Sequence, residues 1–276
     1  MIPSTSTRQA LRQHLAELLQ NTQQTPHPDS VPLVIAGQSC GAVFPEAAEV
    51  LRRHMPDIIN NGAFVLGLGT TQALLNKQLI NEQLMSVARC LNDHGCLPKW
   101  RGELLDIWSD STSLGAVERG AVRALGLATR AVHLQAWSEA GHLWVARRAL
   151  DKATDPGLWD TLVGGLVGHE EGDDLALVRE SEEEAGLYEA SLAHRTPMRC
   201  LTQMRRRLPE GFQSEAVLVS ECVLAPDCIP CNQDGEVMTI ECMPPADVAQ
   251  MLLEQEFTVE ASIVIAQELL DRFDQA

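Results

Sequence analysis

Between Gly164 and Leu187 the chain reads GGLVGHEEGDDLALVRESEEEAGL, and no other stretch restricts its fold and chemistry so tightly. Asp173 is a favoured N-cap type, Asp174 puts negative charge where the helix dipole welcomes it, and Gly186 suits the left-handed residue that closes many helices. A helix is therefore predicted over 173–185, with Leu175 and Val178 facing the core and Ser181 and Ala185 continuing their stripe. Glu180, Glu183 and Glu184 lie three and four residues apart and share a face, from which Glu182 points away. Carboxylates so placed repel one another and weaken a bare helix. A divalent cation removes that penalty, and magnesium and manganese prefer carboxylate oxygens. Arg179 stands beside these acids and can hold a carboxylate through forked hydrogen bonds, for which Glu171 is a candidate partner. Taken alone, an acidic helix face is more often solvated surface, and a glycine-rich loop is more often only a turn.

The spacing of the whole segment separates these readings. Gly165, five residues, Glu171, seven residues, Arg179–Glu180, two residues, Glu183–Glu184, one residue and Gly186–Leu187 resembles the Nudix box, with every charged and glycine position filled. One position departs: Ser181 stands where that family usually has an apolar residue. The site packs inward, so the departure concerns packing more than chemistry. The resemblance implies a loop–helix–loop on a mixed sheet sandwiched between helices. It implies that Glu180, Glu183 and Glu184 hold metal ions, that Arg179 orients Glu180, that Glu171 orients Arg179, and that Gly165 lets the backbone approach metal or phosphates. The implied chemistry is water attack on a diphosphate, with Mg2+ or Mn2+ as Lewis acid and activator of water. Glu171, Arg179, Glu183 and Glu184 are the expected catalytic residues, with the base left open between this helix and a later loop.

Outside the box, His133–Leu134, Leu143–Arg148, Lys152, Pro156–Gly157, Asp160 and Asn232–Val237 resemble one Nudix subgroup, related to a region fused to thiamine pyrophosphokinase in some fungi. Its members carry an extra N-terminal domain, often with a segment like Trp100–Leu104. The resemblance implies hydrolysis of thiamine diphosphate, above all of damaged oxidised analogues, to the monophosphate, in metabolite repair. Arg147 and Arg148 are consecutive and point to opposite faces of a strand, so only one can face the site, and the resemblance implies that it is Arg148. Lys152 lies just beyond and offers a point charge. Glu236 follows a turn-forming Asp234–Gly235 and is a candidate carboxylate or base, or equally an exposed strand residue. ADP-ribose, a nicotinamide dinucleotide or an oxidised nucleotide are the alternative substrates, because the box handles phosphates and not the attached group. A ligand-binding regulator without turnover is the alternative of another class, and retention of every box acid argues against it.

The charge balance narrows the partners. Lysine and arginine total 21 against 38 acids, so 21 − 38 = −17, and a surface this negative repels polyanions. Nucleic-acid binding is disfavoured, since phosphate contacts need basic residues. A small-molecule diphosphate is the expected partner, and a homodimer is left open. No stretch reads as a membrane span or a secretory signal, and the cysteines suit a reduced setting, so a cytoplasmic location is expected. Cys228-Ile229-Pro230-Cys231 has metal-type spacing, but the sequence has no second such pair, which argues against a zinc site. Arg205–Arg207 is expected to be an exposed basic turn.

Apolar spacing predicts helices over about 7–20, 45–55, 73–92, 117–125, 248–254 and 261–273. Strands are expected over 31–35, 63–68, 213–224 and 235–243, with a hairpin made by 131–137 and 142–149 around Glu139–Gly141. The fold class is α/β: a small α+β domain over 1–126, then a Nudix α/β/α sandwich with a mixed sheet over 127–276.

Overall fold

The computed structural model describes residues 4–67, 77–109, 112–152 and 154–275. The chain begins with α1 (Thr5–Asn21), whose first turn is closed by Ser4 Oγ accepting from the Thr7 amide at 3.1 Å. There follow β1 (Val31–Ile35), β2 (Gln38–Val43), α2 (Pro45–His54), β3 (Ile59–Asn60), β4 (Ala63–Leu66) and α3 (Lys77–Asp93). These strands form a small sheet in the order β2-β1-β4-β3, with only β1 and β4 parallel. Leu33, Ile35, Phe64 and Leu66 from the sheet pack with Leu51 of α2 and Leu84 and Leu91 of α3. Of the helix expected over 73–92, residues 73–76 lie outside the described residues, as does residue 68 of the strand expected over 63–68.

A two-stranded ribbon, β5 (Leu104–Ser109) with β6 (Thr112–Glu118), leads to the short α4 (Val122–Leu125). The helix expected over 117–125 is thus confined to its end. Val117 pairs with Leu105 across the ribbon, where the ladder satisfies its backbone, and Gly126 at φ +61° stops the helix.

The larger sheet is built from β7 (Ala128–Ser138), β8 (Leu143–Arg148), β9 (Trp159–Thr161), β10 (Val163–Leu166), β11 (Arg199–Leu208), β12 (Gly211–Leu224) and β13 (Val237–Met243). Its order is β11-β12-β7-β8-β13, with β10 on β7 and β9 on β8; β7 and β12 run parallel and the other pairs antiparallel. One face carries Val132, Leu134 and Leu218, which pack on Ala176 and Leu177 of α5 (Asp173–Ala185). The other carries Trp137, Val145, Val217 and Val219, covered by α6 (Pro245–Leu253) and α7 (Val259–Gln275). The result is an α/β/α sandwich on a mixed sheet.

Two sequence expectations fail here for identifiable reasons. Arg205–Arg207 is not a turn but the end of β11, paired with Phe212–Ser214 of β12. Alternation splits the three arginines: Arg206 reaches Glu260 at 3.1 Å, while the Arg207 guanidinium donates to Thr25 O at 2.7 Å. The expected division at residue 126 also misplaces α1. Leu11 and Leu15 are buried in the core of the larger unit against α6 and α7, and Arg12 meets Asp274 at 2.5 Å. A leucine stripe needs an apolar partner face, and the last helix supplies it. No described helix is long and apolar enough to cross a membrane.

Candidate active site

α5 follows a glycine-bearing loop and covers β10. Its N-cap is Gly172 rather than Asp173, which is the first helical residue and pairs with Arg130. The buried stripe is Ala176, Leu177, Ser181, Glu184 and Ala185, whereas Leu175, expected inward, is 67% exposed. The stripe is turned because residues 177, 181, 184 and 185 follow the i, i+4, i+7, i+8 pattern, which leaves position 175 outside it. Ser181 fits this apolar stripe by donating its hydroxyl to Leu177 O at 2.6 Å, so its own polar group is paired. At the C-terminus Gly186 is left-handed at φ +64°, and the Gly186 and Leu187 amides donate to Glu182 O and Ser181 O.

Arg179 is the centre of the polar face. Its Nε and Nη2 donate to the two oxygens of Glu171 at 2.8 and 2.9 Å, a forked pair. Its Nη1 reaches Glu180 Oε1 at 2.8 Å and Glu183 Oε2 at 3.2 Å, and its Nη2 also touches Leu166 O at 3.2 Å. Glu171 additionally accepts from the Gly168 amide at 2.8 Å. The Arg179 fork, with that amide, holds the Glu171 carboxyl below its ordinary range, and the same fork raises Arg179. Burial pushes the Glu180 carboxyl up, and Arg179 offsets part of the rise. The structure thus brings together Arg179, Glu171 and Glu180, which the sequence had singled out.

Glu184 differs from its neighbours. It is buried, accepts one hydrogen bond from the Gly164 amide at 3.0 Å, and is pushed by burial up to about 8. Glu183 is half exposed. The space at Gly165 has a use that the sequence did not reveal. A β-carbon there would lie 2.0 Å from Glu180 Cδ, so the glycine makes room for this carboxylate rather than only for a ligand. Among the described residues no three His, Cys, Asp or Glu side chains converge as a metal-ligand set, since Arg179 engages Glu180 and Glu183.

The residues proposed as substrate contacts sit at the rim. Arg148 points inward, to Asp160 Oδ2 at 2.8 Å and Thr154 O at 3.2 Å, while Arg147 lies outside over the Trp159 ring. Lys152 pairs with Glu236. Burial alone would raise the Glu236 carboxyl, but the lysine outweighs it and holds it low. Glu236 lines a groove of about 560 Å³ together with Glu171, Arg179, Glu180 and Glu183. Lys152, Arg148, Asp160, Gly164 and Glu184 border a smaller space next to it. Cys231 packs near Gly186 and Gln233, and Cys228 and Cys231 are free thiols.

Sequence reasoning missed two contributors from the smaller unit. Arg119, paired with Glu103 at 2.7 Å, lines the groove and also the adjoining cavity. Asp106 of β5 accepts from Ser113 Oγ at 2.5 Å, the Glu170 amide at 2.9 Å and His169 Nδ1 at 3.0 Å, and so ties the loop before α5 to the ribbon. Burial raises the Asp106 carboxyl, but these bonds prevail and hold it below its usual value. The only nearby sequence signal was Trp100–Leu104, whose Arg101 and Gly102 amides donate to buried Glu118 at 2.6 and 3.2 Å.

The family model described as the NUDIX domain matches residues 127–264, half of the chain. Nudix hydrolase 20, chloroplastic, of Arabidopsis thaliana is 29% identical over 248 residues, covering 85% of this chain and 66% of that protein. Nudix hydrolase 24, chloroplastic, of the same plant is 28% identical over 250 residues, covering 88% of this chain and 67% of that protein. The chain thus spans about two thirds of the length of these relatives. A solved protein of Deinococcus radiodurans shares 20% identity and covers 60% of this chain and 99% of its own, with a TM-score of 0.45.

Proposed function

The chain belongs to the NUDIX domain family, and from that premise we propose that it is a magnesium- or manganese-dependent hydrolase of thiamine diphosphate or its oxidised analogues, releasing the monophosphate and phosphate. The observation that carries the hydrolase reading is the Arg179 hub, which gathers Glu171, Glu180 and Glu183 on one helix face beside buried Glu184. A donor set made only of carboxylates fits a hard divalent cation. Glu180, Glu183 and Glu184 would hold it, and it would supply Lewis acidity and a water of lowered pKa. The chain's own residues do the positioning. Glu171 fixes Arg179, Arg179 presents Glu180, and the Gly164 amide fixes Glu184. In the reaction the water oxygen bonds to the terminal phosphorus, the bridging oxygen leaves with the monophosphate, and the water proton passes to a carboxylate of the groove.

The thiamine assignment is supported by where the subgroup-like residues fall. Arg148, Lys152, Asp160 and Glu236 border one space with Gly164 and Glu184, and His133 lines the adjoining cavity. Arg148, Lys152 and Arg119 supply cations next to a carboxylate-rich groove, as a bound diphosphate requires. The test is cleavage of the diphosphate bond with magnesium, read as monophosphate product by chromatography, in thiamine diphosphate, its thiazole-oxidised analogue, ADP-ribose and a reduced nicotinamide dinucleotide. We expect a thiamine compound to give the highest kcat/KM. A lead of more than roughly tenfold for an adenine compound, about 1.4 kcal/mol in the barrier, would replace the thiamine assignment. Full-rate turnover after exhaustive chelation would remove the metal from the reaction.

A further inference from the structure

The larger sheet carries, next to the groove, a cavity of about 340 Å³ bordered by Gly164, Gly165 and Leu166 of β10 and by side chains of β7, β12 and α7. Its walls contain two polar side chains that are each 95% or so buried (5% exposed) and incompletely paired: His133 and Gln213. Neither His133 Nε2 nor Gln213 Oε1 has a hydrogen-bond partner among the described residues.

Their partners decide what these atoms can accept or donate. Thr161 Oγ1 donates its hydrogen to Val163 O at 2.9 Å, so toward His133 Nδ1, 3.0 Å away, it acts as acceptor. Nδ1 therefore carries the proton. Burial lowers the His133 imidazole and keeps it neutral, which leaves Nε2 as a bare lone pair. The Gln213 amide is oriented by two carboxylates: Nε2 donates to Glu215 Oε1 at 3.0 Å and Glu260 Oε1 at 3.1 Å. Both amide hydrogens are used, and Oε1 remains an acceptor. Two side chains of the cavity wall thus each keep an acceptor atom without a donor. His133 pairs with Val219 in the sheet, 219 − 213 = 6 residues along β12 from Gln213. At about 3.3 Å per residue the two backbones are roughly 20 Å apart, so one ligand group cannot serve both.

His133 is the one tied to the reaction site. Gly164 lies opposite it in the β7–β10 ladder, and a β-carbon at Gly164 would be 3.2 Å from His133 Nδ1. The amide of the same glycine holds Glu184. We propose that His133 is the specificity-determining residue of the site, its Nε2 accepting from an amino group on a nitrogen heterocycle that forms the non-phosphate half of the substrate, with Gln213 a second acceptor further along the cavity. The inference rests on the diphosphate-hydrolase reading and adds to it which edge of the attached group is recognised. It also separates two features of the substrate: His133 reads the aminated ring, so oxidation of a different ring passes unread at this residue.

The full chain with magnesium is assayed on two matched pairs: thiamine diphosphate with its analogue bearing hydrogen in place of the pyrimidine amino group, and ADP-ribose with its 6-deamino purine analogue. In whichever pair is cleaved, loss of the amino group is expected to lower kcat/KM at least roughly tenfold, because a buried acceptor is left without its donor. His133→Phe is expected to bring that ratio to within about threefold. A wild-type ratio below threefold overturns the inference, as does a folded His133→Phe enzyme that keeps the wild-type ratio. The wild-type comparison stands even where the variant does not fold. If neither pair releases product, the hydrolase reading fails instead. The amino preference is then read from equilibrium binding of the same four compounds by calorimetry, where equal affinities within each pair overturn it.

Discussion

Glu184 is a buried carboxyl with one backbone donor that stands near Glu180. Glu184→Gln keeps the shape, retains an acceptor for the Gly164 amide and removes the charge. Turnover is expected to fall at least roughly a hundredfold, about 2.7 kcal/mol in the barrier. The melting temperature of the metal-free protein should hold, since burial already keeps this carboxyl mostly neutral below about 8, so the amide replaces a neutral acid. Near wild-type turnover in a folded variant would take Glu184 out of the site. Gly165→Ala makes the converse case. Its new methyl would fall 2.0 Å from Glu180 Cδ, so Glu180 must leave its place against Arg179. Overpacking of this kind costs on the order of 1–3 kcal/mol. The expected signature is activity lost well beyond the change in denaturation midpoint; an active Gly165→Ala enzyme would mean that Glu180 works from another position.

At the scale of elements, the loop before α5 hangs from β5 through Asp106. Its folded carboxyl titrates below the ordinary value of about 3.9. A depressed carboxylate contributes stability that is present above the unfolded value and lost as pH falls through the folded one. The stability gap between wild type and Asp106→Asn should therefore be full at neutral pH and shrink below about pH 4. Urea titrations across pH 3–7 check this, and a gap that stays constant would mean that Asp106 acts only by packing. This clamp also marks the limit of what the sequence can disclose. The bounds of α5 and the Arg179–Glu171 fork are local consequences of spacing and were legible, whereas alternation alone could not choose between Arg147 and Arg148. Asp106 and Arg119 were not, because their partners lie far along the chain and no periodicity marks a tertiary hydrogen bond. Arg205–Arg207 misled for a related reason: a basic triplet looks like a solvated turn until a neighbouring strand and Glu260 are known to flank it.

For the molecule as a whole, the smaller unit lines the groove with Arg119 and anchors its loop through Asp106, and α1 completes the sandwich from outside the expected boundary. Removing residues 5–21 should uncover the α6–α7 face that Leu11 and Leu15 bury. At about 1.5–3 kcal/mol for each leucine, the loss is roughly 3–6 kcal/mol and exceeds what an exposed helix would contribute. Chemical denaturation of the shortened protein measures it; an unchanged midpoint would make α1 a passenger. The Arg12–Asp274 contact spans 262 positions. On the ribosome, therefore, α1 must wait for α7, about 250 residues behind it, before the contact can form. Until α7 emerges, the leucine stripe of α1 lacks most of its native surface, and a nascent chain stalled before residue 259 carries it uncovered as a site for chaperones to grip.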